Sequence, residues 1–263
     1  MEKTLRTAAT GLAAQQRFVE IIAHNLANVN TTGFKRVRPE FQDLIYETLR
    51  TLGTTAAEGT AANSHEVQIG SGTELVATVR AFAQGDIQPT NNPLDLAING
   101  DGFFVVRRPD GSLLYTRNGS FRVDRDGQIV TSQGYVLEPG IVVPERVSQL
   151  RIGRDGVVSV IAADGSSEQI LGSIQLARFI NPAGLRAVGE GFYAETPASG
   201  PPILETPGQG GVGELLQAYL ESSNVELVEE MVNLIMAQRA YELNAKAIRT
   251  ADELLQTAVN LKS

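Results

Sequence analysis

The last fifty residues constrain the rest of the chain. From Glu214 to Ser263 there is neither glycine nor proline, and Leu227, Leu234, Tyr241, Ile248 and Leu255 recur every seven residues. Met231, Gln238, Ala245, Asp252 and Val259 form a second, imperfect row between them. On a helix of about 3.6 residues per turn, a seven-residue apolar repeat makes a narrow seam that another helix buries best. Ser223 and Glu226 have the spacing of a capping box, so the helix is expected to start near Asn224. Glu226, Glu229 and Glu230 then fall in its first turns, where the macrodipole favours negative charge. At 1.5 Å per residue such a helix runs about 55 Å, more than a core of this size needs.

A matching stripe occupies the other end. Leu5, Leu12, Val19 and Leu26 are seven apart, with Ala8, Gln15, Ile22 and Val29 in the alternate row. Gly11 is the one weak helix position, and Gly33 is placed to end the helix in a left-handed turn. All eleven prolines lie between residues 39 and 207. One stripe alone would read as a helix packed on its own core. Two at opposite ends predict an α+β chain, with long N- and C-terminal heptad helices paired in an antiparallel coiled coil and an antiparallel, turn-rich β domain inserted between them. The expected segments are an N-terminal helix over 1–33, a connector over 34–66, a β domain over 67–220 and a C-terminal helix over 221–263. Residues 1–38 carry six basic side chains against two acidic, and residues 221–263 seven acidic against four basic. Their attraction would be modest and salt-dependent.

In the connector, Phe41, Leu44, Ile45 and Leu49 suggest a short amphipathic turn or helix. Thr51 to Ser64 is rich in Thr, Ala, Gly and Asn and reads as a loop, since little apolar burial offsets its ordering entropy. Beyond Val67 the pattern changes to period two, with Leu75, Ala77, Val79 and Ala81 alternating with polar residues. Turn signals punctuate strand-length apolar runs at Asn99-Gly100, Asp110-Gly111, Asn118-Gly119, Asp126-Gly127, Asp155-Gly156 and Asp164-Gly165.

No catalytic, cofactor or metal site is expected. With no cysteine there are no disulfides or thiolate ligands, and a net charge of −8 argues against nucleic acid. Gly208, Gly210 and Gly213 spell G-x-G-x-x-G, but Pro201, Pro202 and Pro207 precede them and no βαβ unit is apparent, which favours a connector over a dinucleotide loop. Asp124, Asp126 and Gly127 lack the later glutamate of a calcium loop. His24 and His65 have no nucleophile or ligand partner at a motif spacing. No apolar run reaches membrane-span length and the N-terminus lacks a signal-peptide core, so a cytoplasmic location without membrane insertion is expected on these grounds alone.

Three stretches together resemble the bacterial flagellar rod and hook family. His24-Asn25-Leu26-Ala27-Asn28-Val29-Asn30-Thr31-Thr32-Gly33-Phe34-Lys35 is similar to its N-terminal motif, with His24 where asparagine is more usual. Leu94 to Phe104 with Tyr115-Thr116-Arg117-Asn118-Gly119-Ser120-Phe121 resembles its β-domain signature. Ser223-Asn224-Val225 through Gln238-Arg239-Ala240-Tyr241-Glu242 resembles its C-terminal helix motif. Asn25, Asn28, Thr32, Gly33, Phe34, Asn224, Gln238, Arg239, Ala240 and Tyr241 are the motif positions carried over. Within the family, Phe41 to Arg50, Gln68 to Gly72 and Ile152 to Val160 point to the distal-rod members.

The resemblance implies a non-enzymatic structural subunit that polymerises into a hollow drive shaft in the basal body. It implies export by the flagellar type III apparatus into the periplasm-spanning rod, which overturns the cytoplasmic expectation. Partners would be other copies, the proximal rod proteins, the hook protein with its junction, and the surrounding rings. The expected subunit interfaces are the helix rows Leu5, Leu12, Val19, Ile22, Leu26, Val29, Leu227, Met231, Leu234, Tyr241, Ile248 and Leu255, with Asn25 and Asn28 as candidate register-setting amides. Residues 46–66 are expected to set the rigidity of the tube. The alternatives are a proximal rod or hook subunit, or a β-domain binding protein or enzyme that dimerises through its ends.

Overall fold

The computed structural model describes residues 2–50, 67–144, 147–162 and 168–260. The expected loop over 51–64, and the stiffening role given to 46–66 as it bears on residues 51–66, fall outside the described residues, as does the turn at Asp164-Gly165. Among the described residues there are two α helices, α1 (Glu2–Ala27) and α2 (Leu227–Asn260), with twenty short strands and one 3-10 turn between them. The chain divides into two compact units.

The larger unit comprises residues 27–36 and 80–226. Its centre is the strand Phe103–Arg107, which pairs with Leu113–Thr116, Val136–Leu137 and Leu176–Arg178, all antiparallel. Successive side chains on a strand face opposite sides. Phe104 and Val106 accordingly join one buried cluster, with Leu96, Ile98, Val158 and Leu215. Phe103 and Val105 join a second, with Tyr115, Phe179, Leu185 and Tyr193. That double burial explains an apolar run without alternation. The second cluster is aromatic, with Tyr115 and Phe179 edge to face at 4.8 Å and Phe82 against Phe103 at 5.4 Å. Burial pushes the Tyr115 hydroxyl up to about 12. The strands Val147–Ile152, Val157–Ala162 and Glu168–Ser173 form a separate sheet whose Ile152, Val158 and Val160 also join the first cluster.

The turn residues act through backbone conformation. Gly100, Gly111, Gly127 and Gly156 all have positive φ. Gly119 is different: its φ is not positive, and a Cβ there would collide with the Leu96 carbonyl. Of the G-x-G-x-x-G triplet, Gly208 and Gly210 are left-handed in a turn before the strand Glu214–Gln217, and Gly213 packs against the Asn99 carbonyl, so the triplet is a connector.

The second unit holds α1 to Leu26, residues 37–79 and α2. Phe18 meets Phe41 edge to face at 6.2 Å. A side chain at Gly72 would collide with the Thr10 hydroxyl, so a glycine is needed where this loop meets α1. The expected turn or helix around Phe41 to Leu49 is instead two strands, Val37–Asp43 and Tyr46–Arg50. They pair with Thr73–Arg80 and Val67–Gly70 respectively.

The predicted α+β class, with heptad helices paired in a coiled coil, is not borne out. The molecule is β-rich, and its two helices do not bury the large apolar heptad rows. On α2 the buried positions are Glu230, Ala237 and Ala251, while Leu227, Met231 and Tyr241 are 47%, 51% and 45% exposed. On α1 they are Ala8, Ala14, Ile22 and Asn25, whereas Leu5, Leu12, Val19 and Leu26 are half-buried. The helices touch through small and polar groups: Gly11 lies against the Asn244 amide, and Asn25 Nδ2 donates to Glu230 Oε1 at 3.4 Å. A knobs-into-holes seam needs large knobs fully buried in it, and of the large apolar row positions described only Ile22 is buried. The capping box is also absent. Ser223 Oγ accepts from the Val225 amide at 3.3 Å, and α2 begins three residues later than Asn224.

Candidate functional site

The largest group of buried charges lies in the β-rich unit, where the chain enters and leaves it. Lys35 is wholly buried, and its Nζ stands 2.6 Å from Glu221 Oε1 and donates to the Ala83 carbonyl at 2.8 Å. Arg117 Nε donates to Glu221 Oε2 at 2.9 Å. Its Nη1 donates to the carbonyls of Gly100 and Gly102 at 2.9 and 2.7 Å. The Gly85 amide completes the carboxylate at 2.9 Å. Desolvation lowers the Lys35 pKa, and Glu221 opposes that shift. A buried carboxylate is tolerable only when its lone pairs are filled, and here two cations and an amide fill them.

The backbone around these groups is bound just as closely. The Gly33 amide donates to the Glu221 carbonyl at 2.8 Å. Gly33 has a φ of 67°, and an added Cβ would stand 2.7 Å from the backbone of Arg117 and Asn118. Asn224 Oδ1 accepts from the Arg36 amide at 2.7 Å, and its Nδ2 donates to the carbonyls of Ala81 and Ala83 at 2.8 and 2.9 Å. The guanidinium of Arg80 lies 6.0 Å from the Phe34 ring centre and 5.7 Å from that of Tyr193. Residues 33–36, 80–85, 100–102, 117 and 221–224 thus form one clasp. It holds the entering and leaving strands of chain together, and no member is arranged for acid–base chemistry on a substrate.

In the other unit, Asn25 is buried and bonds twice to the backbone of Val37, donating to its carbonyl and accepting from its amide, both at 2.9 Å. It docks the strand Val37–Asp43 onto the end of α1. Asn28 accepts from the Thr31 hydroxyl at 3.1 Å in the turn after α1. Of the other motif positions, Gly33 and Phe34 are buried, Thr32, Asn224 and Ala240 are half-buried, and Gln238, Arg239 and Tyr241 are exposed. Arg239 donates to Glu242 at 3.0 Å on the helix surface. Of the helix rows, Ile22 is buried, while Val29, Leu234 and Ile248 are half-buried. The side chain of Leu255 lies outside the described residues.

The outer face of α2 carries an unburied apolar stripe. Val228, Val232, Ile235, Met236 and Leu243 are each at least half exposed, Ile235 at 57% and Met236 at 63%. Among the described residues no group of three or more His, Cys, Asp or Glu is placed to hold a metal, and no helix is long and apolar enough to cross a membrane.

Sequence reasoning quoted Lys35 and Arg117 within motifs but singled out neither, and it passed over Glu221. The one available signal was the lysine directly after Gly33-Phe34, the first charge after the uncharged run from Asn25 to Phe34.

Comparisons with known proteins agree with this geometry. Three family models match: the flagella basal body rod protein over residues 5–35, the flagellar hook protein FlgE/F/G D1 domain over 97–160, and the flagellar basal body rod FlgEFG protein C-terminal region over 216–261. The clasp takes Lys35 from the first, Arg117 from the second and Glu221 from the third. The flagellar basal-body rod protein FlgG of Borreliella burgdorferi is 51% identical over 100% of this chain and 99% of its own length. FlgG of Caulobacter vibrioides is 46% identical over 99% and 100%. FlgF of that organism is 32% identical over 98% and 97%. The chain belongs to the flagellar basal-body rod protein family, whose members are structural proteins and not enzymes.

Proposed function

We propose that the chain is the subunit of the distal rod, polymerising helically into a hollow shaft that carries motor torque to the hook. The observation that carries this reading is the apolar outer face of α2, where Val228, Val232, Ile235, Met236 and Leu243 stand unburied on a chain of rod-family sequence. A single subunit that leaves such a stripe in water gains free energy by covering it with another copy. The clasp suits a torque-bearing part: the segments entering and leaving the β-rich unit are bound to each other and to Arg117, so a pull on either loads buried ion pairs. The higher identity to FlgG than to FlgF within Caulobacter favours the FlgG-like position over another rod position.

On this reading the neighbours are other copies, proximal rod proteins, the hook protein through its junction, and the surrounding rings. The subunit leaves the cytoplasm through the flagellar type III apparatus and works in the periplasm-spanning rod. Electron microscopy of the concentrated purified chain tests the proposal. Straight tubes are expected. Curved tubes would favour a hook-like role, and the absence of any polymer would contradict self-assembly.

A further inference from the structure

The chain has three sulfur atoms, all in methionine, and two of them lie on the outer half of α2: Met231 and Met236, at 51% and 63% exposed. At 100° per residue, Val228, Val232 and Ile235 fall within 60° of one another around the helix. Met231 falls to one side of that stripe and Met236 to the other, so a thioether flanks each edge. The buried side of α2, with Glu230, Ala237 and Ala251, is roughly opposite. Both side chains are at least half exposed in the unassembled chain, and both sit where a neighbour would cover the stripe. Nothing in the packing of the single chain requires a methionine at either position. A flexible, polarisable side chain does suit an apolar contact between copies.

We propose that Met231 and Met236 form an oxidation-sensitive site that decides whether the chain can polymerise. The inference rests on the reading that copies assemble through the outer face of α2. The chemistry is a two-electron oxidation by a hydroperoxide. A sulfur lone pair attacks the outer peroxide oxygen, the O–O bond breaks and an S–O bond forms. The sulfide becomes a sulfoxide, and the peroxide is reduced to water or an alcohol. Each sulfoxide replaces an apolar edge with a strongly polar acceptor. Covering the stripe would then strip water from two S=O groups with no donor provided for them. Oxidation therefore blocks assembly, and assembly in turn shields the sulfurs. The susceptible species is the unassembled subunit.

The experiment compares the full-length chain with the double variant Met231→Leu/Met236→Leu, each untreated or treated with hydrogen peroxide. Peptide mass spectrometry follows sulfoxide formation, circular dichroism follows helix content, and sedimentation gives the critical concentration for assembly. The expected result is a rise of at least tenfold in critical concentration for the treated chain at unchanged helix content. The treated double variant should assemble like the untreated one. In preformed polymer, sulfoxide should form at both positions at least tenfold more slowly than in free subunits. Equal assembly of fully oxidised and untreated chain overturns the proposal. So does equal loss in the leucine variant, or equal oxidation rates in polymer and subunit. An untreated chain that does not polymerise overturns the parent reading, and this inference falls with it.

Discussion

Lys35 and Glu221 are 186 positions apart in the chain, and their charged atoms are 2.6 Å apart in the fold. Neither side chain is more than 1% exposed. The pair closes the β-rich unit by fixing the segment that enters it to the segment that leaves it, and Arg117 ties Glu221 to the carbonyls of Gly100 and Gly102.

The first prediction concerns that pair. Glu221→Gln removes the carboxylate that contacts both buried cations, so the cost is the stranding of Lys35 and Arg117 as well as the lost attraction. Loss of one partner of a buried pair costs about 3–5 kcal/mol. Urea unfolding should show a loss of that size. Adding Lys35→Met should recover part of it, since one stranded charge is gone. A Glu221→Gln chain as stable as the parent would mean that the clasp does not hold the fold.

Gly33 gives a test with an internal control. Gly33→Ala and Gly111→Ala both force an L side chain into positive φ, which costs about 1–2 kcal/mol. At Gly111 the new Cβ meets open space, whereas at Gly33 it meets the Arg117 and Asn118 backbone at 2.7 Å. Gly33→Ala should therefore be clearly the more destabilising of the two in thermal unfolding. Equal losses would remove the steric argument for the clasp.

Asn25→Ala leaves the Val37 amide and carbonyl without the partners they now share. Two buried backbone groups left unsatisfied cost about 2–6 kcal/mol in all. Hydrogen exchange should show lost protection at Val37 and along its strand. Retained protection there would mean that water or another group replaces the amide.

Alkaline titration reads the aromatic cluster. Burial raises the Tyr115 pKa from 10.0 to about 12, so between those values the folded chain holds a proton that the unfolded chain has released. Stability then falls as pH rises through that window, and Tyr115→Phe should weaken the fall. A tyrosinate absorbance curve in which every tyrosine titrates near 10 in the folded chain would contradict the burial.

These tests fall on groups that differ in how legible they were. Asn99-Gly100, Asp110-Gly111, Asp126-Gly127 and Asp155-Gly156 announced their turns because positive φ is a local property of glycine. Asn118-Gly119 carried the same signal for another reason, since the Leu96 carbonyl that forbids a Cβ there lies far off in sequence. The helical ends were visible in the seven-residue apolar repeats and the lack of proline, but the buried face was not. Leucine spacing implied a leucine seam, whereas the small residues Ala8, Ala14, Ala237 and Ala251 are the buried ones. Ser223 and Glu226 looked like a capping box with the helix starting near Asn224, yet α2 starts at Leu227 and the Asn224 amide is spent on Arg36, Ala81 and Ala83. Phe41 fitted either period over so short a span, and strand pairing with Thr73–Arg80 decided it. The clasp was hidden because nothing local relates Lys35 to Glu221.

The central claim is that copies of this chain assemble through the outer face of α2. Ile235→Asp tests it most directly, because Ile235 is 57% exposed and contributes little to the single subunit. Its effect on unfolding should stay within about 0.5 kcal/mol, as for other surface substitutions. The decisive measurement is sedimentation of parent and variant at matched concentration under polymerising conditions. The account predicts that the parent pellets as polymer while the equally stable variant stays in the supernatant. A variant that pellets as fully as the parent would contradict it.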